Sequence, residues 1–264
     1  MLTISCFSFL SSSFLLYFPC LFLSLLVSPC LPQELYRATR LMILIRFGKW
    51  RELIAMTFQQ DRELHLAHTL FLHYGRGIAY GALGDVASAK QEQRAFLGMT
   101  ATLKPDDRIK HNVHICDMAN IAKNVLNAEI LYREEHFEDA FAALRSAVES
   151  FDGLPYDEPH GWLMSPRHTL GALLTEQKKF YEALEVYEQD LIKFPKNPWS
   201  LSGAQTCFDG LGLGRKDDSA RNRTMLEFAM KACDVRIGAS CACALEDWGE
   251  SGTKGEECCA KSTA

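Results

Sequence analysis

Apolar and small residues recur at helical spacing through most of this chain, starting near residue 35. Leu41, Leu44 and Ile45 fall on one side of a helix, and Gly48 interrupts the pattern. Trp50 then begins a second apolar stripe that can pack back on the first. The regular part of the chain is therefore predicted to open with a pair of helices joined by a short turn.

The same two-helix pattern returns further along the chain. Gly84 with Asp85, and Lys178 with Lys179, stand where tight turns between paired helices are expected. Small residues such as Ala183 fall where two helices would cross closely. The pattern predicts helix pairs over about 65–100, 118–150 and 166–195, the first half of another over 197–208, and a covering helix over 218–233.

Three stretches do not fit regular helix. Residues 104–110 are predicted to form an exposed loop, and residues 151–166 contain too many prolines and glycines to be helical. After residue 237 the composition changes to Gly, Ser, Cys, Glu and Lys, so residues 237–264 are predicted to be a disordered tail. The helical part then spans residues 33–236, and an apolar segment, residues 1–32, precedes it.

Some local motifs carry a resemblance to known proteins. They are RFGKW at 46–50, HYGRG at 73–77, and the run 154–199, which begins LPYDEP and ends with Pro195, Asn197 and Trp199. Over roughly residues 40–235 they resemble a group of tetratricopeptide-repeat proteins of unassigned function. The resemblance implies an all-α fold, a right-handed alpha-solenoid of degenerate tetratricopeptide-like helix pairs, and a binding role. The chain departs from the repeat consensus at Arg167 and Asp190, where a bulky aromatic and a small residue are usual.

The N-terminal segment has no charged side chain over residues 1–33, and basic residues follow it from Arg37 onward. Three interpretations stay open: a membrane anchor, a signal or targeting peptide, and an extension that is not native coding sequence. If residues 5–31 insert in a bilayer, the positive-inside rule leaves the helical part on the cytoplasmic side. The expected location is therefore cytoplasmic, with or without a membrane anchor.

Charge and cysteine content narrow the function classes. The formal net charge is −5 at pH 7 and Lys and Arg form no stripe, which argues against a nucleic-acid partner. Most of the ten cysteines lie in the two terminal segments, a distribution that indicates a reduced compartment rather than a small secreted module. We expect no cofactor and no metal site, because the clusters His65–His73 and His111–Cys116 lack two close pairs of ligands.

Candidate binding residues concentrate in and near the irregular stretch 151–166, where acidic, aromatic and basic side chains follow each other closely. Together they could hold a peptide. The predicted partner-binding residues are His73, Arg76, Tyr156, Asp157, Glu158, Trp162, Arg167 and His168. A structural interpretation competes with this one: an acid of the stretch caps a helix and pairs with Arg167, and Trp162 fills the solenoid core.

The sequence contains no nucleophile elbow, phosphate-binding loop or zinc-protease helix, so no catalytic residue is predicted. The pattern favours a non-enzymatic scaffold or adaptor that binds a peptide or a partner helix on a concave face. Two alternatives stay open. One is a membrane-tethered adaptor, and the other is an enzyme or metal-dependent binding protein with a cleft formed by His73, Arg76, Asp157, Glu158 and His168.

Overall fold

A computed structural model describes residues 31–61, 65–104 and 112–244 of the chain, and the side chains within this part from residue 38 onward, except 213 and 214. Over those ranges the fold is all-α, as predicted, and contains no β-strand. Its ten α-helices are α1 (Leu31–Arg46), α2 (Trp50–Ala55), α3 (Leu66–Ala82), α4 (Val86–Thr100), α5 (Ile115–Arg133), α6 (Phe137–Asp152), α7 (Pro166–Glu176), α8 (Phe180–Lys193), α9 (Pro198–Leu211) and α10 (Lys216–Met230).

Consecutive helices are joined in pairs by a recurring turn. Gly48, Gly84, Glu135 and Lys178 each adopt a positive φ, between 58° and 83°, just after the first helix of a pair. In each turn the next residue's N–H donates to the carbonyl five positions earlier over 2.9 Å, as from Asp85 to Tyr80. This is the Schellman ending of a helix, which satisfies carbonyls that the helix itself leaves unpaired. The predicted turns at Gly84–Asp85 and Lys178–Lys179 are thereby confirmed.

Packing between helices is mostly between neighbours in the chain. Each helix contacts the next one, and the first helices of successive pairs also touch, α1 with α3, α3 with α5 and α7 with α9. This arrangement places first helices side by side, so one face of the molecule is formed mainly from α1, α3, α5 and α7. Stacked helical pairs bury a continuous core in this way, because no single pair can cover its own apolar face.

The irregular connection between α6 and α7 contributes to the core. It spans residues 153–165, within the predicted limits of 151–166. Trp162 is only 2% exposed, and its ring lies 5.5 Å from that of Tyr74 and 6.1 Å from that of Phe71, both on α3. The alternative interpretation of Trp162, as a residue that fills the solenoid core, is consistent with this packing.

Several predictions concern residues outside the described ranges. They are the anchor, targeting or extension interpretations of residues 5–31, most of the loop predicted at 104–110, and the tail beyond residue 244. Within the described part of the chain, no helix combines the length and apolar character needed to cross a membrane.

The structure differs from the predicted tail at its start. Residues 238–244 were expected to begin a disordered segment, yet Ser240, Ala242 and Cys243 are each at most 5% exposed, and residues 242–244 form a 3₁₀ turn. Seven small residues cannot bury much area by themselves, and the composition argument was wrong for them because the helices supply the surface that covers them.

Candidate functional site

A groove runs across the face formed by the first helices. Its walls come from α1, α3, α5 and α7, and Trp162 forms part of its floor. Residues 240–243, here called the groove segment, lie in it and leave a residual cavity of about 40 Å³, which suffices for only one or two water molecules. The helix residues that line the groove include Ile45, Arg46, Tyr74, Ile78, Val125, Glu129, His168 and Thr169.

Two arginines hold the main chain of the groove segment. Arg46, the last residue of α1, donates from Nη1 to the carbonyl oxygen of Ser240 over 3.0 Å. Arg133, the last residue of α5, donates from Nη2 to the carbonyl oxygen of Cys243. Hydrogen bonds from charged donors are stronger than neutral ones, and carbonyl acceptors are present in any peptide. The pair therefore recognises backbone at two points.

Ser240 is the segment's most buried residue, with 1% of its surface exposed. Its hydroxyl donates to the carbonyl oxygen of His168 over 2.6 Å, and the hydroxyl of Tyr187 lies 2.6 Å from the same oxygen. Because Ser240 donates to the carbonyl, Tyr187 donates to Ser240. Burial raises the pKa of Tyr187, which keeps its hydroxyl protonated as a donor at neutral pH.

Behind Arg46 lies a buried relay of polar groups. Arg46 donates from Nη2 to Nδ1 of His168 over 2.8 Å, and Nε2 of His168 lies 3.2 Å from Oδ2 of Asp190. Since a guanidinium can only donate, Nδ1 must be the acceptor and Nε2 carries the proton. Burial lowers the pKa of His168, which agrees with this neutral form. The plane of Arg46 also lies 4.5 Å from the ring centroid of Trp199.

Asp190 is the charge at the end of this relay, and none of its surface is exposed. Its Oδ2 accepts from Ser200 Oγ over 2.6 Å and from Asn197 Nδ2 over 3.0 Å, in addition to His168. Burial would raise the pKa of Asp190, but hydrogen bonds from His168 and Ser200 outweigh it and lower that pKa to about 2. Asp190 is thus ionised at neutral pH, and Arg46, whose pKa burial lowers to about 10, remains a cation.

The second arginine is held by a buried carboxyl group. Glu129, 1% exposed, lies one helical turn before Arg133 on α5, and its Oε1 is 2.8 Å from Nε of Arg133. Burial raises the pKa of Glu129, and the charge of Arg133 offsets only part of that rise. This contact uses Nε of Arg133 and leaves Nη2 directed at the groove segment, so Glu129 is a positioning residue for the arginine.

Cys241 and Cys243 form a disulfide across a single residue, which closes a small ring within the groove segment. The sequence analysis did not predict this pairing. The N–H of Ala244 also donates to the carbonyl of Cys241 over 3.2 Å. The segment therefore occupies the groove as a compact turn, whereas an extended peptide was expected.

The predicted site residues fall into several groups. Trp162 and His168 line the groove, whereas His73 and Arg76 pair with Glu92 of α4 at 2.6 Å and 3.0 Å. These ion pairs link α3 to α4, so His73 and Arg76 make different contacts from His168. No group of three or more His, Cys, Asp or Glu side chains in the described ranges is arranged to hold a metal ion.

The remaining predicted residues lie on or beside the α6–α7 connection. Tyr156 is 75% exposed and its hydroxyl donates to Glu158, while Asp157 accepts from the N–H of Glu158 over 3.1 Å. Arg167 was expected to pair with Asp157 or Glu158, but its Nη1 instead donates to Asp152 over 2.8 Å. Asp152 ends α6, and the pair ties that end to the start of α7.

The groove residues that sequence reasoning missed are Arg46, Glu129, Arg133 and Ser240. Asp190 did give a signal, since an acid where a small residue is usual is unexpected in a helix core. A scan against protein-family models matched none to this chain, and no curated protein and no solved structure matched it either. Function is therefore inferred from the groove and its contacts.

Proposed function

We propose that this chain is a non-enzymatic interaction scaffold, built from tetratricopeptide-like helix pairs, that binds a partner peptide in the groove lined by α1, α3, α5 and α7. The fold supports this proposal because stacked helix pairs offer a continuous face for a partner chain. The groove is apolar along Ile45, Ile78 and Val125 and carries charged donors at two places. That combination is typical of sites in which a few polar groups fix the orientation of a ligand.

One observation carries the proposal: Arg46 and Arg133 both donate to main-chain carbonyls of a segment lying in the groove. Each arginine is prepared for this by a buried acceptor, His168 for Arg46 and Glu129 for Arg133. Burying charged groups is costly unless they are paired and hydrogen-bonded. A surface with no ligand to bind has no need of such an arrangement.

His168 is better explained as a positioning residue than as a catalytic base. Its Nδ1 accepts from Arg46 and its Nε2 faces Asp190, so neither ring nitrogen is directed at a reactant in the groove. A general base needs a nitrogen within hydrogen-bond reach of the proton it removes. The groove contacts therefore favour binding over catalysis.

The proposal is tested by blocking the groove without removing any of its buried contacts. Thr169 is partly exposed on α7 and lines the groove, so Thr169→Arg introduces a long side chain into the space that a peptide would occupy. Thr224→Arg, on the exposed surface of α10, is the matched control. A displayed library of random heptapeptides is selected against the full chain and then tested on both variants.

We expect the selected peptides to bind the wild-type chain and the Thr224→Arg variant and to lose at least tenfold in affinity for Thr169→Arg. Peptides that bind all three chains equally would place their site elsewhere and contradict the groove as the binding surface. Thermal unfolding of both variants controls for folding, since each substitution lies at a helix position with access to solvent.

A further inference from the structure

We propose that the groove selects a turn-forming peptide that carries a serine followed two positions later by alanine or another small residue, and that the chain's own groove segment is a built-in competitor for that peptide. This inference rests on the proposed function and adds the chemistry of the partner and a means of regulating it. The segment seated in the groove, Ser240 to Cys243, is the template for both parts of the proposal.

The preference for serine follows from the two hydrogen bonds of Ser240. Its hydroxyl connects the carbonyl of His168 with the hydroxyl of Tyr187, and both Ser240 and Tyr187 are at most 1% exposed. Alanine at this position would leave a buried phenol and a buried carbonyl without that partner. Larger polar residues would not fit, because the serine already lies in a closed part of the groove.

The preference for small residues follows from Ala242. It is 5% exposed, and the helices leave only about 40 Å³ of cavity around the segment. A longer side chain at this position would need the groove to open. The ring closed by Cys241 and Cys243 also fixes the turn, and a preformed turn loses less conformational freedom on binding than a flexible peptide does.

Self-occupation follows from the tethering of the segment. Gly212 and helix α10 connect the segment to α9, so it is never far from the groove. A short tether gives a local concentration on the order of 1 mM. A free peptide with an intrinsic Kd of about 10 μM would therefore bind the wild-type chain roughly 100-fold more weakly than a chain whose segment has been displaced.

The experiment uses the full chain and a labelled heptapeptide, Gly-Ala-Ser-Cys-Ala-Cys-Ala, which copies residues 238–244 and is closed by a disulfide. Ala242→Arg places a charged, long side chain in the groove segment and leaves the groove's walls unchanged. Ala232→Arg, at an exposed position before the segment, is the matched control. Binding is measured by fluorescence anisotropy, and a second peptide carries Ala in place of its Ser.

We expect Ala242→Arg to bind the heptapeptide about 100-fold more tightly than the wild-type chain and the Ala232→Arg variant do. The peptide that lacks Ser should bind Ala242→Arg at least tenfold more weakly. Ser240→Arg serves as a second displaced variant if Ala242→Arg does not fold. Hydrogen exchange on the wild-type chain gives an independent readout, because excess free heptapeptide should increase deuterium uptake in residues 238–244.

The contradicting outcomes separate the two proposals. Equal affinities of the wild-type chain and Ala242→Arg, with no change in exchange, would overturn self-occupation. Equal binding of the two peptides would overturn the serine preference while the groove remains a binding site. If Ala242→Arg binds neither the heptapeptide nor any peptide of the random library, both this inference and the proposed function fail.

Discussion

Replacing Asp190 by Asn removes a buried negative charge while keeping the size of the side chain. Asp190 is the end of the relay that orients Arg46, and its pKa of about 2 lies well below its ordinary value of 3.8. That difference corresponds to about 2 kcal/mol of folding free energy. We therefore expect Asp190→Asn to lower the free energy of unfolding by about 2 kcal/mol at pH 7.

The pH dependence gives this prediction its sign. A carboxyl group whose pKa is lowered by folding stabilises the protein fully above its unfolded value, near pH 4, and this stabilisation is lost as the pH falls toward about 2. Asn does not titrate, so the difference between wild type and Asp190→Asn should fall to roughly half at pH 3. Urea unfolding followed by circular dichroism at pH 7 and pH 3 measures it.

Two further variants serve as controls. Asp209→Asn changes an acid whose side chain is 60% exposed and pairs with Arg223, so it should alter stability by less than about 0.5 kcal/mol. His168→Gln can keep a donor toward Asp190 and an acceptor toward Arg46 without titrating, and combining it with Asp190→Asn removes the contribution of His168 to the pH profile. A stability loss at pH 7 that is equally large at pH 3 would refute the account of Asp190.

Two further predictions concern backbone and packing. Glu135→Gly should raise the free energy of unfolding by about 1 kcal/mol, because Glu135 has a φ of 64°, while Glu149→Gly inside α6 should lower it by about 1 kcal/mol; urea unfolding distinguishes these opposite signs, and a loss in both would contradict the turn geometry. Gly203→Ala should lower it by about 2 kcal/mol, since its Cβ would lie 2.2 Å from Cζ of Tyr187, while Gly98→Ala, with open space around it, should raise it by about 0.5 kcal/mol; a neutral Gly203→Ala would show that Tyr187 can move.

Helix pairs could be predicted from sequence because their signals are local. Gly84 stands where a left-handed residue ends a helix, and the apolar stripes on either side repeat at helical spacing. Glu135 adopts the same conformation although its residue type gives no such signal. That turn is required by the packing of α5 against α6, a tertiary cause that propensity does not contain.

Only part of the candidate site could be predicted, since its contacts join distant parts of the chain. Trp162 and His168 were selected because aromatic and ionisable residues stood out near an irregular stretch. Arg46 and Ser240 are 194 positions apart, and nothing local to either residue indicates the other. Composition also misplaced residues 238–244, because small residues become buried only when a groove of matching size covers them.

The most direct measurement of the central claim combines displacement of the groove segment with blocking of the groove. The full-length Ala242→Arg chain and the Ala242→Arg/Thr169→Arg chain are titrated with the labelled, disulfide-closed heptapeptide. We predict saturable binding to the first chain and at least a tenfold loss of affinity in the second. Equal affinity for the two chains, or no binding to the first, would contradict the claim that the face formed by α1, α3, α5 and α7 binds peptides.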